Sequence, residues 1–239
     1  MLKIFACLAF FLLSQISSAQ HDPFGKNPNA ERREVAAFDK ISIQGGIDLV
    51  LVADTREEVW VSGRDTEVRD RIVTRVNNGT LEIFFDARTG LNWPVNMKLK
   101  VHVSYRKLSS LAVSGSCDVV AEGTIRAESF SLSLNGSSDF KGTFDVRSLE
   151  IRQSGSSDSQ IAGSAEKAKI TLSGASDLKA YGLVIDNAIV RVSGASDAQI
   201  TMNGEMEVRA SGASDVLYKG TGSVRTVESS GASSVKKVD

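Results

Sequence analysis

The sequence is poor in cysteine, and this scarcity limits how the fold can be stabilised. Only 2 of 239 residues are cysteine, and one of them, Cys7, lies in an N-terminal apolar run. If that run is removed during export, Cys117 is left alone and no internal disulfide can form. An exported domain without disulfides must take its stability from its core and its backbone hydrogen bonds.

The N-terminal apolar run indicates a signal peptide over residues 1–19. Lys3 precedes the run at residues 4–13, which is too short to span a bilayer, and small residues complete the pattern. We therefore expect cleavage before Gln20 and a location in the periplasm, at the cell surface or outside the cell. A retained membrane anchor and lipoprotein processing at Cys7 are the alternatives.

Net charge, histidine and long apolar segments are also scarce, and each scarcity argues against a class of protein. Lys and Arg number 28 against 29 Asp and Glu, so no basic excess indicates binding to nucleic acid or to an anionic membrane. The two histidines lie outside any zinc-site spacing, and no glycine-rich loop precedes a helix. We predict no metal centre, no cofactor, and no integral membrane segment after the signal peptide.

Proline is rare and unevenly placed. Pro23 and Pro28 lie in residues 20–35, whose weak apolar pattern predicts a flexible leader. None of the 3 prolines falls in residues 111–239. Because a proline removes one hydrogen bond from a strand ladder, its absence there is typical of a continuous β structure.

What the sequence does contain is a repeated turn, Ser-Gly-Ala/Ser-Ser-Asp, in the second half of the chain. Successive copies are 18 to 21 residues apart, too regular for chance composition. Glycine supplies a backbone position at positive φ or at a close approach between coils. The glycines of the repeat are Gly115, Gly136, Gly155, Gly174, Gly194, Gly212 and Gly231.

Apolar and polar residues alternate on both sides of each turn, as in residues 170–173 and 190–193, which predicts strands with one buried face. A unit of about 19 residues cannot bury that face alone, so we predict an all-β, right-handed parallel β-helix or β-solenoid. Residues 111–239 are the repeat solenoid. Residues 36–110 are expected to start and cap it with longer coils and a hairpin at Asn77-Asn78-Gly79, as one continuous domain.

The order of these segments resembles a known family. Residues 38–43 (FDKISI), 46–51 (GIDLVL) and 76–83 (VNNGTLEI) precede the serial turns, and the resemblance covers about residues 36–235. The chain is similar to the putative auto-transporter adhesin head GIN domain family, exported bacterial proteins that are common in Bacteroidota. The resemblance implies a β-helical fold and a cell-envelope or extracellular location, and it carries over no catalytic residues.

The aspartate that ends each turn is the main candidate for a site. Equal spacing should align these residues in one column, with carboxylates roughly 5 Å apart. Backbone capping of each carboxylate as an Asx-turn, cation binding (Ca²⁺ being the natural ion), and a glycosidase-like carboxylate pair are the three interpretations. Catalysis needs two unlike environments, whereas these are copies, so no enzyme is predicted. The candidate residues are Asp118, Asp139, Asp158, Asp177, Asp197 and Asp215.

Trp93, beside Pro94, is a second candidate contact, as an exposed aromatic that stacks on a sugar or a partner. Taken together, the sequence favours an exported envelope module that presents repetitive Ser/Asp surfaces to an unknown glycan, surface or envelope protein through many weak contacts. A structural or accessory envelope protein without a ligand is the alternative, and a polysaccharide-processing enzyme is the third possibility.

Overall fold

The computed structural model describes residues 23, 25, 27–87 and 97–239. The predicted signal peptide and Trp93 lie outside the described residues. Strands account for 68% of the structure and helix for 2%, and the chain forms a β-solenoid of about 7 turns with ~19-residue spacing, which confirms the predicted fold class. No helix among the described residues has the length and apolar character needed to cross a membrane.

The elements follow one another along the chain with short connections. They are β1 (Ala30–Arg33), β2 (Lys40–Gly45), β3 (Asp48–Ala53), β4 (Glu58–Ser62), α1 (Thr66–Asp70), β5 (Ile72–Asn77), β6 (Thr80–Phe85), β7 (Lys100–Tyr105), β8 (Ser110–Gly115), β9 (Asp118–Gly136), β10 (Asp139–Gly155), β11 (Asp158–Leu172), β12 (Asp177–Val192), β13 (Asp197–Met202), β14 (Glu205–Ala210), β15 (Asp215–Lys219), β16 (Ser223–Ser229) and β17 (Ser234–Lys237).

From β8 onward the coils stack in parallel and in register. The long strands β9 to β12 each run around most of one coil, and each pairs with the next over most of its length. In the last coils the same path is divided between β13 and β14, then β15 and β16, and ends at β17. Because inward positions fall opposite inward positions, apolar side chains of successive coils form continuous columns such as Leu132, Ile151, Ile170, Val190 and Val208, all 0% exposed.

The N-terminal end is not assembled in chain order. β2 and β3 form one coil, and β8 and β9 stack on it in parallel. On its other side β2 pairs with β6, and β3 pairs with β7. Antiparallel strands end the stack. β5 pairs with β6, β4 pairs with β7, and β1 pairs with β4. β6 and β7 therefore form a longer coil that stacks on the outer side of the first coil, and the antiparallel strands cap it.

The predicted hairpin at Asn77-Asn78-Gly79 joins β5 and β6. Asn78 and Gly79 have φ values of 49° and 75°, the pair of positive values that a tight two-residue hairpin turn requires. A short helix, α1, precedes this hairpin. It starts where the Asp65 side chain accepts a hydrogen bond of 2.8 Å from the backbone N–H of Val68.

Each turn of the repeat is built on the turn before it. Gly155 has a φ of 83°, and its neighbour Ser156 donates a backbone hydrogen bond of 2.7 Å to the Gly136 carbonyl of the preceding coil. Ser157, the fourth residue of the turn, is 0% exposed, and its hydroxyl donates to the Ser154 carbonyl at 3.1 Å. The turn therefore buries a small polar side chain that is satisfied within its own turn, and leaves the following aspartate outside.

Candidate functional site

The structure places the six predicted aspartates in one outward-facing column at the start of the strands that follow the turns. Their Cα atoms are direct register partners from each coil to the next, in the order Asp118, Asp139, Asp158, Asp177, Asp197 and Asp215. Each is followed by a buried apolar residue or a buried serine, so the strand alternation points the carboxylates away from the core.

A seventh member of the column, Asp48, was not predicted from the sequence. Leu49 is the register partner of Val119, which puts Asp48 beside Asp118 in the adjacent coil. The sequence does contain a signal for Asp48. Gly45 precedes it by three residues, the spacing of glycine and aspartate in the six repeats that end in aspartate. The residues between them, Gly46 and Ile47, lack the serine of the repeat, so this segment was not recognised as a copy of the turn.

The column ends in a cation on one side and a hydroxyl on the other. Lys100 is the register partner of Asp48 in the capping layer. Ser234 takes the aspartate position in the last coil, and its hydroxyl donates a hydrogen bond of 2.6 Å to Asp215. The carboxylate ladder is therefore bounded by a positive charge and by a neutral donor.

The carboxylates within the ladder lie close enough to repel one another. Partial burial, and then the charges of Asp158 and Asp118, raise the pKa of Asp139 above its ordinary value of 3.8. Burial followed by the charges of Asp158 and Asp197 raises the pKa of Asp177 in the same way. The pKa of Asp48 is also raised, by burial first and by Asp118 second, with Lys100 acting in the opposite direction.

Backbone hydrogen bonds connect the carboxylates from coil to coil rather than within one turn. The Oδ1 atom of Asp158 accepts from the backbone N–H of Asp177 at 3.3 Å, and Oδ1 of Asp197 accepts from the N–H of Asp215 at 3.0 Å. These contacts differ from the Asx-turn expected from the sequence, because the donor belongs to the next coil. Among the described residues, no three His, Cys, Asp or Glu side chains form a group that could hold a metal ion.

A second outward column runs beside the aspartates, two residues further along each strand. It carries basic and amide side chains in the middle coils and a valine with 42% exposure, Val120, at one end. Together the two columns line a shallow groove of about 380 Å³ that includes Asp118, Asp139 and Asp158. We call these two columns the aspartate face. The second column consists of Val50, Val120, Lys141, Gln160, Lys179, Gln199, Leu217 and Lys236.

Replacing Asp139 or Asp177 with asparagine is expected to stabilise the protein at neutral pH. A raised pKa means that the ionised carboxylate disfavours the folded state, so this contribution to stability falls as the pH rises from about 3.8 through the raised pKa. Asparagine keeps an oxygen that can accept the inter-coil hydrogen bond and removes the charge. We expect a gain of about 0.5 kcal/mol per substitution at pH 7, the scale of directly opposed cross-strand charges, that disappears near pH 3.

Asp54 provides the matched control for this measurement. Backbone hydrogen bonds from Arg56, followed by contacts with Thr55, lower the pKa of Asp54. Asp54→Asn should therefore reduce the melting temperature at pH 7, opposite in sign to the ladder variants. Melting curves of all three variants across this pH range check the prediction, and ladder variants that melt below the parent protein at pH 7 would refute it.

The fold and the face together define a β-solenoid that displays a repeated polar surface. The chain belongs to the family described as putative auto-transporter adhesin, head GIN domain, whose model matches residues 37–222. This result confirms the resemblance found from the sequence. No curated protein matches the chain.

Solved structures of bacterial proteins share the fold. A putative adhesin from Bacteroides fragilis has a TM-score of 0.80 at 18% identity and covers 87% of this chain and 96% of its own. A putative adhesin from Parabacteroides distasonis has a TM-score of 0.72 at 20% identity, with 87% and 96% coverage. A putative lipid binding protein from the same species has a TM-score of 0.69 at 18% identity, with 89% and 98% coverage. Neither the family nor these relatives is named as an enzyme.

Proposed function

We propose that this protein is an exported module of the bacterial envelope that binds a glycan polymer along its aspartate face, in the manner of an adhesin. The observation that carries the proposal is the register of the aspartates, which repeats one set of polar groups at every coil, roughly 4.8 Å apart. A polymer with its own short repeat can match such a surface at several places at once. Membership of a family described as adhesins supports the same class of function.

The chemistry of the face suits a polyhydroxylated ligand. The carboxylates of the column accept hydrogen bonds from hydroxyl groups, while Lys141, Gln160 and Lys179 in the adjacent column can donate them. Partial burial, and then repulsion by flanking carboxylates, raise the pKa of Asp139 and Asp177, so donors brought by a ligand relieve an unfavourable interaction already present in the free protein. Each contact is weak because it is exposed, and binding therefore depends on many contacts acting together.

The same repetition argues against catalysis at this face. General acid and base work requires two carboxylates whose surroundings drive their pKa values apart. Asp139 and Asp177 instead have pKa values raised by the same causes, burial and flanking carboxylates. The surface therefore supports a binding function better than a hydrolytic one.

The test is a binding screen of the purified exported protein against a glycan array and envelope polysaccharides. The variant Asp118→Asn/Asp139→Asn/Asp158→Asn removes three charges from the groove and should weaken binding of any ligand found by about tenfold or more. Its matched control is Glu128→Gln/Asp145→Asn/Glu166→Gln, which removes three exposed carboxylates that line a different surface of the solenoid.

Two outcomes would count against the proposal. If the parent protein binds no glycan or polysaccharide, a structural or accessory envelope protein becomes the better interpretation. If the control variant weakens binding as much as Asp118→Asn/Asp139→Asn/Asp158→Asn, the ligand responds to total charge and not to the aspartate face. Addition of Ca²⁺ during melting tests the cation alternative separately, since an ion bound only by the folded state must raise the midpoint.

A further inference from the structure

A second surface of the solenoid carries lysines on one side of its centre and glutamates on the other, along the solenoid axis. It lies on the strand segments that lead into the turns, in the second halves of β10 to β12 and in β14. One outward column consists of Lys167, Asn187 and Glu205, which occupy equivalent positions in three successive coils. The register of β11 with β12, and of β12 with β14, aligns them. A basic side chain, a neutral one and an acidic one thus follow one another along the solenoid axis.

The neighbouring column repeats the pattern and extends it. Glu150, Lys169, Ile189 and Glu207 are register partners in four successive coils. Thr226 continues the column in the following coil, and Arg225, at the register shift beside it, has its guanidinium 3.6 Å from Glu205. At the other end Lys169 lies 3.1 Å from Glu150 of the same chain. We call the two columns together the lysine–glutamate face.

The centre of this face is a shallow depression with an apolar floor. It has a volume of about 260 Å³, and Ala168, Ala188 and Ile189 lie among the residues that line it, between the lysines on one rim and the glutamates on the other. Ile189 is 40% exposed, one of few large apolar side chains left at the described surface. An exposed apolar centre within a charged rim is the usual composition of a protein–protein contact.

When the order of the coils is reversed about Ile189, the lysines and the glutamates of the face exchange positions. A two-fold axis lying in the plane of contact and parallel to β12 reverses the order of the coils in a second copy. Lys167 then lies opposite Glu205 of the second copy, and Lys169 lies opposite Glu207. Ile189 meets its own copy at the axis, as an isologous interface requires.

We propose that the lysine–glutamate face is a self-complementary interface through which two copies of this protein form an antiparallel dimer. The parallel arrangement is disfavoured because it would oppose Lys169 to Lys169 and Glu207 to Glu207. Charge complementarity of this kind fixes the register and orientation of partners.

One residue of the central coil opposes this contact, and its effect is small. Arg191 would face Arg191 of the second copy at the edge of the interface. Its register neighbour Arg209 is paired with Glu228 of the same chain at 2.8 Å, which leaves Arg191 as the like-charge contact of the central coil.

The size of the face predicts a weak and reversible dimer. Five coils at ~4.8 Å and about six residues per strand at ~3.3 Å cover roughly 480 Å² on each copy. This area is at the low end for specific complexes, so we expect a dissociation constant of roughly 10 to 100 μM. The aspartate face stays free in such a dimer, since it lies on the other side of the turn.

Sedimentation velocity of the full protein over a concentration series tests the proposal. The parent protein should dimerise, and salt should weaken the dimer because exposed charges hold it together. Lys167→Glu/Lys169→Glu gives acidic side chains on both sides of Ile189 and should be monomeric, as should Glu205→Lys/Glu207→Lys, which gives basic side chains on both sides. Melting curves of the separate variants confirm that each is folded.

Mixing the two variants provides the decisive measurement. The four glutamates that flank Ile189 in one variant are complementary to the four lysines of the other in the same antiparallel arrangement, so the mixture should form a heterodimer at parental concentrations. The quadruple variant with both pairs exchanged should dimerise like the parent protein. A parent protein that stays monomeric near 1 mM, or a mixture that shows no heterodimer, would overturn the proposal.

Discussion

Replacing Gly155 with alanine is expected to cost about 4 kcal/mol of folding stability, or to prevent folding of the central coils. Two separate effects add at this residue. Its φ of 83° is a conformation that residues with a Cβ rarely adopt. A Cβ at this position would lie 2.4 Å from the Gly136 carbonyl oxygen, a backbone atom that cannot move without breaking the turn beneath it. Denaturant unfolding followed by circular dichroism measures the loss.

Gly123 separates the two effects, because it has a φ of 77° but no atom within 4 Å of the place that a Cβ would take. Gly123→Ala should cost only about 1 to 2 kcal/mol, the strain of positive φ alone. Gly231→Ala, in the terminal coil, has a similar collision at 2.6 Å and should unfold that coil locally while the rest of the protein melts normally. If Gly155→Ala costs no more than Gly123→Ala, close stacking of the turns is not what selects glycine.

The repeat made the solenoid predictable, because each coil contains the same turn residues and the same alternation of apolar and polar residues. A glycine that must stack on the glycine below it, followed by an aspartate that must stay outside, forces a fixed spacing on the sequence. The N-terminal cap could not be predicted in the same way. β2 pairs with both β6 and β8, strands that lie 40 and 70 residues later in register, and no local pattern chooses between such distant partners.

The candidate site was predictable only in part, for a related reason. Periodicity alone placed Asp139 and its copies in one column, but the turn sequence did not show that Asp158 would accept its hydrogen bond from the next coil. The lysine–glutamate face was not found at all from the sequence. Lys169, Ile189 and Glu207 each lie five residues before a turn glycine, so the repeat aligns them in one column. Their side chains are a base, an apolar group and an acid, so the column shows no repeated residue type that would mark it in the sequence.

Replacing Phe144 with alanine is expected to cost about 4 kcal/mol and to lower the melting temperature by about 10 °C. Phe144 is 0% exposed in a core that is otherwise mostly aliphatic. Its ring centroid lies 5.0 Å from that of Phe130 in a tilted arrangement and 5.8 Å from that of Phe140 in a stacked one. Removal of the ring therefore breaks two aromatic contacts as well as the burial of one large side chain.

Of the two coils next to Phe144, the preceding one places the buried Ile125 in register with it, and the following one has no side chain to fill the space that Phe144 leaves. Its register partner there is Gly163, which has no side chain, and a Cβ at Gly163 would collide with the Phe144 carbonyl oxygen. The cavity should therefore persist, which places the cost in the upper half of the range for such substitutions. Phe144→Leu, the control, retains most of the volume and should lose about 1.5 kcal/mol or less. Equal losses for the two variants would mean that the coils close over the cavity, and that the stack is more compliant than its continuous backbone ladder implies.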